Sequence, residues 1–381
     1  MSTLKVGALQ GISASSDAIT LANDGTCTAN ITNKPNRNLI INGAMQVAQR
    51  GTSYTGGGYG SVDRWKIDAS NLSTGSAITK SQQSLSSSDT PYTLGFRKFA
   101  RMALAAAGSA SATSYAEFQQ KIEAQNISNS GWNYNSTSSF VTLQFWFRCS
   151  TNQTFYGWVT STDGTNKRFT FSFTASGNNA WTKVTKTIPG ASGIQIDDNN
   201  GEGFSVVIAP FYGTDYTGSV SLDTWVTKND ATHSPDYAST WLTAGASTFD
   251  LTGVQLEVSD HASDFEFRSF GQELALCQRY FERIVVDDSD IFFIGVNQFG
   301  SPGRIPLTFK VTKRAIPTVT IDNATFAYYA VQGSGSNGSA SFTVNSYSTD
   351  TMGISSSGAA ANTSWWVAKN ADGYVDASAE L

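Results

Sequence analysis

The chain has 381 residues, 14% of them charged and 12% aromatic, with 25 Lys+Arg against 30 Asp+Glu for a net charge of −5. The charged fraction is well under the roughly 25% of an average soluble protein, and the aromatic content excludes global disorder. There is no basic surplus to neutralise phosphates and no apolar run near the ~20 residues that span a bilayer, so neither nucleic-acid binding nor membrane insertion is expected.

A chain of this length predicts two or three domains, with enough residues for a core that needs no disulfide or metal. The opening MSTLKVGALQ has no basic start followed by an apolar stretch. Synthesis in a reducing cytosol without a Sec leader is therefore expected. Residues 1–37 are small, polar and thin in apolar side chains, with Pro35 at the exit. They cannot build a core alone and must pair with something.

Residues 38–262 read as strands. Val141, Leu143, Phe145 and Phe147 alternate with Thr142, Gln144, Trp146 and Arg148, and Phe169, Phe171 and Phe173 alternate with Arg168, Thr170 and Ser172. Such alternation predicts half-buried antiparallel strands. Turn clusters separate them at Thr162–Gly164, Ser176–Asn179 and Asp198–Gly201. Phe99–Ala107 reads either as a helix or as a strand followed by a loop. The apolar phase slips between Leu251 and Val254, with Gly253 at the slip, which predicts a β-bulge.

Residues 263–284 break the β pattern. Ser269 and Gln272 fit a capping box, and Leu274, Cys277, Phe281 and Ile284 recur at three- and four-residue spacing. This predicts one amphipathic helix over about 270–284. Leu274, Phe281 and Ile284 are the candidate oligomer contacts; docking of the helix onto its own sandwich is the alternative. Residues 285–381 return to alternation at Ile305, Leu307, Phe309 and Val311, with Gly/Ser-rich loops such as Gly333–Gly338. Tyr328, Tyr329, Tyr347, Trp365 and Trp366 cluster there and are the candidate receptor contacts. The fold expected is all-β: a central antiparallel jelly-roll β-sandwich, one connecting helix and a small C-terminal β-sandwich domain.

Catalytic motifs are absent from the sequence. Cys27, Cys149 and Cys277 are scattered, giving neither a disulfide framework nor a zinc site. No paired-His metal motif, G-x-S-x-G elbow or Walker A sequence occurs, and Gly56–Gly60 reads as a flexible loop. His233, in a polar stretch, reads as a solvated loop residue. Asp197–Glu202 is rich enough in oxygens for Ca²⁺, yet a plain hairpin turn accounts for the same residues. Asp287–Asp290 reads in the same two ways. No catalytic residue, metal or cofactor is expected.

Several blocks resemble a family of bacteriophage virion proteins, the tail fibre or minor structural proteins. They are Asn38–Thr52 followed by Asp63-Arg64-Trp65, then Gln120-Lys121-Ile122-Glu123, then Thr187–Gly190 leading into Asp198–Gly203. The longest runs from Thr252–Val258 through Asp264–Phe281. Pro306–Phe309 with Arg314–Val319, and the ending Asp376–Leu381, are similar to the family's last domain. The resemblance implies a jelly-roll module like those of carbohydrate-binding modules, in a homotrimeric virion appendage. Its implied partners are a second virion protein (tail adaptor, nozzle or baseplate) held through residues 1–37, and a host cell-surface glycan or lipopolysaccharide met by residues 285–381. The leading expectation is a non-enzymatic tail fibre located in the virion. The alternatives are a capsid decoration or architectural tail protein, and a polysaccharide depolymerase.

Overall fold

The computed structural model describes residues 6–12, 17–29, 35–73, 78–175, 179–286, 291–296, 304–322, 326–330, 336–339, 341–357, 364–369 and 373–381. The N-terminal part is a three-stranded sheet of β1 (Ala8–Gln10), β2 (Asp17–Leu21) and β3 (Cys27–Ala29). Every described side chain from Val6 to Cys27 is exposed or half-buried. Ile12 and Leu9 in particular stand in solvent. Among the described residues, no side chain of this sheet is buried.

The body follows, in chain order: β4 (Ser53–Tyr54), β5 (Lys66–Ser73), β6 (Thr79–Ser84), α1 (Thr90–Thr93), β7 (Lys98–Ala103), β8 (Ser109–Glu123), α2 (Ala124–Ser128), β9 (Phe140–Cys149), β10 (Thr154–Ser161), β11 (Lys167–Thr174), β12 (Thr182–Pro189), β13 (Glu202–Tyr212), β14 (Trp225–Thr227), α3 (Thr240–Thr243) and β15 (Thr248–Glu257). They form two six-stranded antiparallel sheets, ordered β14-β11-β10-β13-β8-β5 and β12-β9-β15-β7-β6-β4. Phe99–Ala103 is thus strand and the residues after it are loop, the second of the two readings of that stretch.

Alternation builds the core between the sheets. Val141, Leu143, Phe145 and Phe147 of β9 are fully buried and meet Phe155, Phe171, Phe173 and Phe249. The Phe147 and Phe173 rings lie 4.8 Å apart edge to face, and Phe155 meets Phe249 at 5.1 Å, a geometry that adds to plain area burial. The phase slip is a bulge: the β15–β9 register shifts between Thr252 and Gln255, and Gly253 has φ +63°. A Cβ there would lie 2.9 Å from Phe96, so glycine meets both a conformational and a steric requirement.

One expectation is corrected at the second face. The outer face of β9 and β15 is not solvated: Thr142, Gln144, Asp250 and Gln255 are buried. Residues 35–45 and 263–268 lie over it. Gln144 Nε2 donates to Ser263 O at 2.7 Å, and Arg101 and Arg148 both donate to the Asp250 carboxylate at 2.7 Å. Polar residues alternate with apolar ones here because each finds a hydrogen-bond partner under the loops.

The predicted long helix is also corrected. The capping box at Ser269 and Gln272 forms, but α4 (Phe270–Gln278) is only nine residues long. β16 (Phe281–Val286) follows it. The β-branched run Ile284-Val285-Val286 favours a strand, and its backbone groups pair with a C-terminal strand instead of continuing helical bonds. Phe281 and Ile284 therefore leave the helix. Phe281 is buried beneath the Arg50 guanidinium at 3.5 Å, and Ile284 is half-buried. Leu274 packs inward with Ile41, Val47, Cys277 and Tyr280.

The C-terminal part has β17 (Ile291–Val296), β18 (Arg304–Thr308), β19 (Thr318–Ile321), β20 (Phe326–Ala330), β21 (Ser336–Ser339), β22 (Ser341–Tyr347), β23 (Thr351–Ser357), β24 (Ser364–Lys369) and β25 (Gly373–Ser378). These make three small antiparallel sheets, β16-β25-β19, β17-β24-β20-β21 and β18-β23-β22.

A polar seam joins this part to the sandwich, and the family-like sequence blocks meet in it. Gln120 holds both the N–H and the carbonyl of Ile41 at 2.8 Å. Glu273 accepts the Asn42 N–H. Buried Arg64 pairs with Glu380 and lies 3.4 Å from the Tyr280 ring. Lys313 Nζ donates to Gln278 O and to buried Glu282, each at 2.6 Å. These contacts satisfy charges that would be costly to bury alone.

Candidate functional site

The site is built on the outer face of the β5-to-β14 sheet, where register lines up two rows of side chains. One row runs Lys66, Gln119, Val207 and Trp158 across β5, β8, β13 and β10. The next runs Lys121, Ser205, Thr160 and Arg168 across β8, β13, β10 and β11. Neighbouring strands stand about 4.8 Å apart, so the second row presents a polar group at each step, whereas the first is polar only at Lys66 and Gln119. Together with Glu117, Glu202, Tyr212, Lys228 and His233 they line a groove of about 450 Å³.

The floor is aromatic and buried. Trp158 is 3% exposed, so its ring is a floor and not a free stacking face. It packs edge-on against Tyr212 at 5.2 Å and faces His233 at 5.2 Å. Tyr212 donates its hydroxyl to Glu117 at 2.6 Å. Burial, reinforced by the Glu117 charge, holds that phenol well above the usual tyrosine range, so it remains a neutral donor.

His233 is not the solvated loop residue that its polar sequence neighbours predict. Its side chain is 14% exposed, and it is enclosed by Trp158, Tyr212 and Tyr216. Its N–H donates to Tyr216 O at 2.6 Å, and its carbonyl accepts from Thr170 Oγ1 at 2.9 Å. Burial, then the neighbouring Arg168 charge, push the imidazole down to about 4, so it is neutral at physiological pH.

The walls carry paired charges. Lys121 meets Glu202 at 2.8 Å and Lys66 meets Glu117 at 3.4 Å. Donors and acceptors thus alternate along the groove, an arrangement that takes a flexible polyhydroxyl ligand through many moderate hydrogen bonds. Two buried polar atoms lining it, Arg168 Nε and His233 Nδ1, make no hydrogen bond of sound geometry. Such atoms call for an explanation.

A larger concavity of about 720 Å³ lies beside Pro35–Leu39, α2 and Leu276. No unpartnered buried polar atom lines it among the described residues, and its arginines are committed. Arg268 donates to the Ile40 carbonyl at 3.2 Å and to that of Asn38, and Arg37 donates to Ser263 Oγ at 2.9 Å. It is part of the seam and a weaker candidate.

The sequence-derived site residues fall elsewhere. Tyr328 and Tyr329 lie on β20 and Trp365 and Trp366 on β24, paired Tyr329 to Trp366 and Ala330 to Trp365. Tyr347, at the end of β22, is 50% exposed. The register brings the first four together on one sheet, and Tyr347 belongs to another. Gly333–Gly335 and Asp287–Asp290 lie outside the described residues.

The Asp197–Glu202 loop spends its oxygens on the protein. Asp198 accepts from Asn129 at 2.9 Å, Asn199 Oδ1 accepts from Gly201 N at 2.7 Å, and Asn200 O accepts from Arg314 at 2.9 Å. No group of three His, Cys, Asp or Glu suited to a metal occurs among the described residues. This loop braces the seam.

No protein-family model matches the chain, and no curated protein matches it. Among solved structures it is similar to the enzymatically active domain of tailspike protein 4 of bacteriophage CBA120 (TM-score 0.33, 10% identity, 60% of this chain and 24% of that one). It is also similar to a candidate sugar-binding protein from Bacteroides thetaiotaomicron (TM-score 0.31, 12% identity, 58% of this chain and 100% of that one). A third similarity is to the family 11 carbohydrate-binding module of a cellulosomal cellulase of Clostridium thermocellum (TM-score 0.26, 8% identity, 54% and 95%). At these values the likeness establishes neither a family nor a function.

Proposed function

We propose that this chain is a non-enzymatic glycan-binding protein of a bacteriophage virion, with saccharide seated in the groove over β5, β8, β13, β10 and β11. The observation that carries the binding part is the groove itself: Lys66, Gln119, Lys121, Ser205, Thr160 and Arg168 brought together by register beside a buried aromatic floor. The virion part is supported by the family-like blocks of the sequence. On this reading the sandwich is a jelly roll, residues 1–37 attach the chain to a second virion protein, and the appendage is a homotrimer. The β1–β3 sheet, with no buried side chain among its described residues, favours that attachment role, because such a sheet gains stability only by packing on another surface. Residues 285–381 form the distal part, where Tyr328, Tyr329, Tyr347, Trp365 and Trp366 are a further candidate contact for the host surface.

The test is a glycan array with the intact chain and with Gln119→Trp, which fills the groove from a half-buried position. We expect glycan binding by the parent chain and its loss, at least tenfold, in the variant with unchanged melting temperature. Binding that survives the variant would move the site away from the groove. No binding at all would leave an architectural role.

A further inference from the structure

One end of the groove carries a charge arrangement that its hydrogen-bonding walls do not require. Arg168 is 2% exposed. Its guanidinium sits 5.6 Å from the Trp158 ring, Nη1 donates to Asn229 O at 2.9 Å, and Nε is buried without a partner. A guanidinium this buried normally faces a bidentate carboxylate. Among the described residues the only carboxylate within ion-pair distance is Asp230, and its Oδ1 is 3.5 Å from Nη2, too far for a good hydrogen bond.

Asp230 is an unusual partner for such a cation. Its side chain is 71% exposed, and the same Oδ1 is shared with Lys228 Nζ at 3.0 Å and His233 Nε2 at 3.9 Å. Three nitrogen-bearing groups from β11 and the 228–233 loop thus converge on one solvated oxygen. Two of them, Arg168 and Lys228, are basic side chains set against the single carboxylate of Asp230. The other groove lysines, Lys66 and Lys121, each have a lining glutamate of their own.

We propose that Arg168, Lys228 and His233 form an oxyanion seat at the end of the groove, and that Asp230 stands in for the acidic group of a charged saccharide. The ligand's carboxylate, sulfate or phosphate displaces Asp230 into solvent and takes the guanidinium Nη2 together with the Lys228 ammonium. Its sugar ring then lies along Thr160, Ser205 and Lys121. No covalent step is involved. The inference rests on the groove being a glycan site and adds the class of glycan.

The experiment is an array of neutral, uronic-acid, sulfated and phosphorylated glycans probed with the full chain, Lys228→Gln and Asp230→Asn. Both substitutions lie near the surface, and melting temperatures control for folding. We expect acidic glycans to dominate binding, Lys228→Gln to weaken them roughly tenfold or more, as losing a charged hydrogen bond does, and Asp230→Asn to tighten them. Comparison of the acidic classes identifies which oxyanion the seat takes. Binding of neutral glycans alone, or acidic binding indifferent to Lys228→Gln, overturns the seat and leaves the glycan reading standing. Unchanged or weaker acidic binding by Asp230→Asn overturns the stand-in role. No glycan bound by the parent chain overturns both.

Discussion

Arg279, just past the end of α4, places Nε and Nη2 each 2.7 Å from the two carboxylate oxygens of Glu123, the last residue of β8. Glu123 is fully buried. Burial alone would raise its carboxyl, and the paired guanidinium outweighs that and holds it below the usual range. The pair ties two sequence blocks 156 residues apart and fixes where the chain turns from helix to β16.

Arg279→Met leaves Glu123 buried without its counter-charge and should cost about 3–5 kcal/mol. Arg279→Lys keeps the charge but loses the fork and should cost less. Urea unfolding of both variants checks the order. If the two are equally mild, the pair does not hold the seam. Because the folded carboxyl lies below its unfolded value, this stabilisation is complete above the unfolded pKa and is lost as pH falls through the folded one.

Asp63 and His233 should pull stability in opposite directions with pH. Burial raises Asp63 to about 6, against the Gln49 hydrogen bonds that lower it. The folded state therefore binds this proton more tightly, and the contribution of Asp63 is fully present below the unfolded pKa and lost as pH rises to about 6. His233, pushed down to about 4, contributes stability that is full above its unfolded pKa and lost as pH falls toward 4. Asp63→Asn should steepen the acid loss of stability between pH 6 and 4, and His233→Gln should flatten it, relative to the parent. Urea midpoints at three pH values decide it, and parallel curves would refute both assignments.

Gly253→Ala forces a Cβ 2.9 Å from the Phe96 ring at a backbone φ of +63°. Each effect costs on the order of 1 kcal/mol or more. We expect a lower melting temperature, with the loss partly recovered by shortening Phe96 to Leu. Failure of that rescue would place the strain in the backbone or against Trp146, which the same Cβ meets at 3.1 Å.

Much of the fold was legible in the sequence because period-two alternation is a direct record of one buried face: β9 and β11 follow Val141–Phe147 and Phe169–Phe173. The bulge at Gly253 and the cap at Ser269 were legible for the same local reasons. The end of α4 was not. Phe281 and Ile284 continue the helical spacing of Leu274 and Cys277, and the competing strand preference of Ile284-Val285-Val286 is realised only by pairing with distant β25.

The groove was the least legible feature. Gln119, Lys121, Thr160, Arg168 and Ser205 occupy the outward positions of alternating strands, which sequence reads as plain solvent face. Their convergence depends on register between strands far apart in the chain. His233 looked solvated because its neighbours in sequence are polar, whereas its neighbours in space are Trp158 and Tyr212. The family-like blocks, by contrast, mostly mark the seam, at Ile41, Asn42, Gln120, Glu123, Glu273 and Glu380, and reach the groove only at Lys121 and Glu202. The groove residues Trp158, Arg168 and His233 lie outside them.

A crystal structure of the intact chain with a glycan it binds decides whether saccharide sits across the β5-to-β14 sheet. Sugar density is expected along Lys121, Ser205 and Thr160, ending at Arg168. Density confined to another surface, such as the aromatic strands β20 and β24, with the groove holding only water, would contradict that placement.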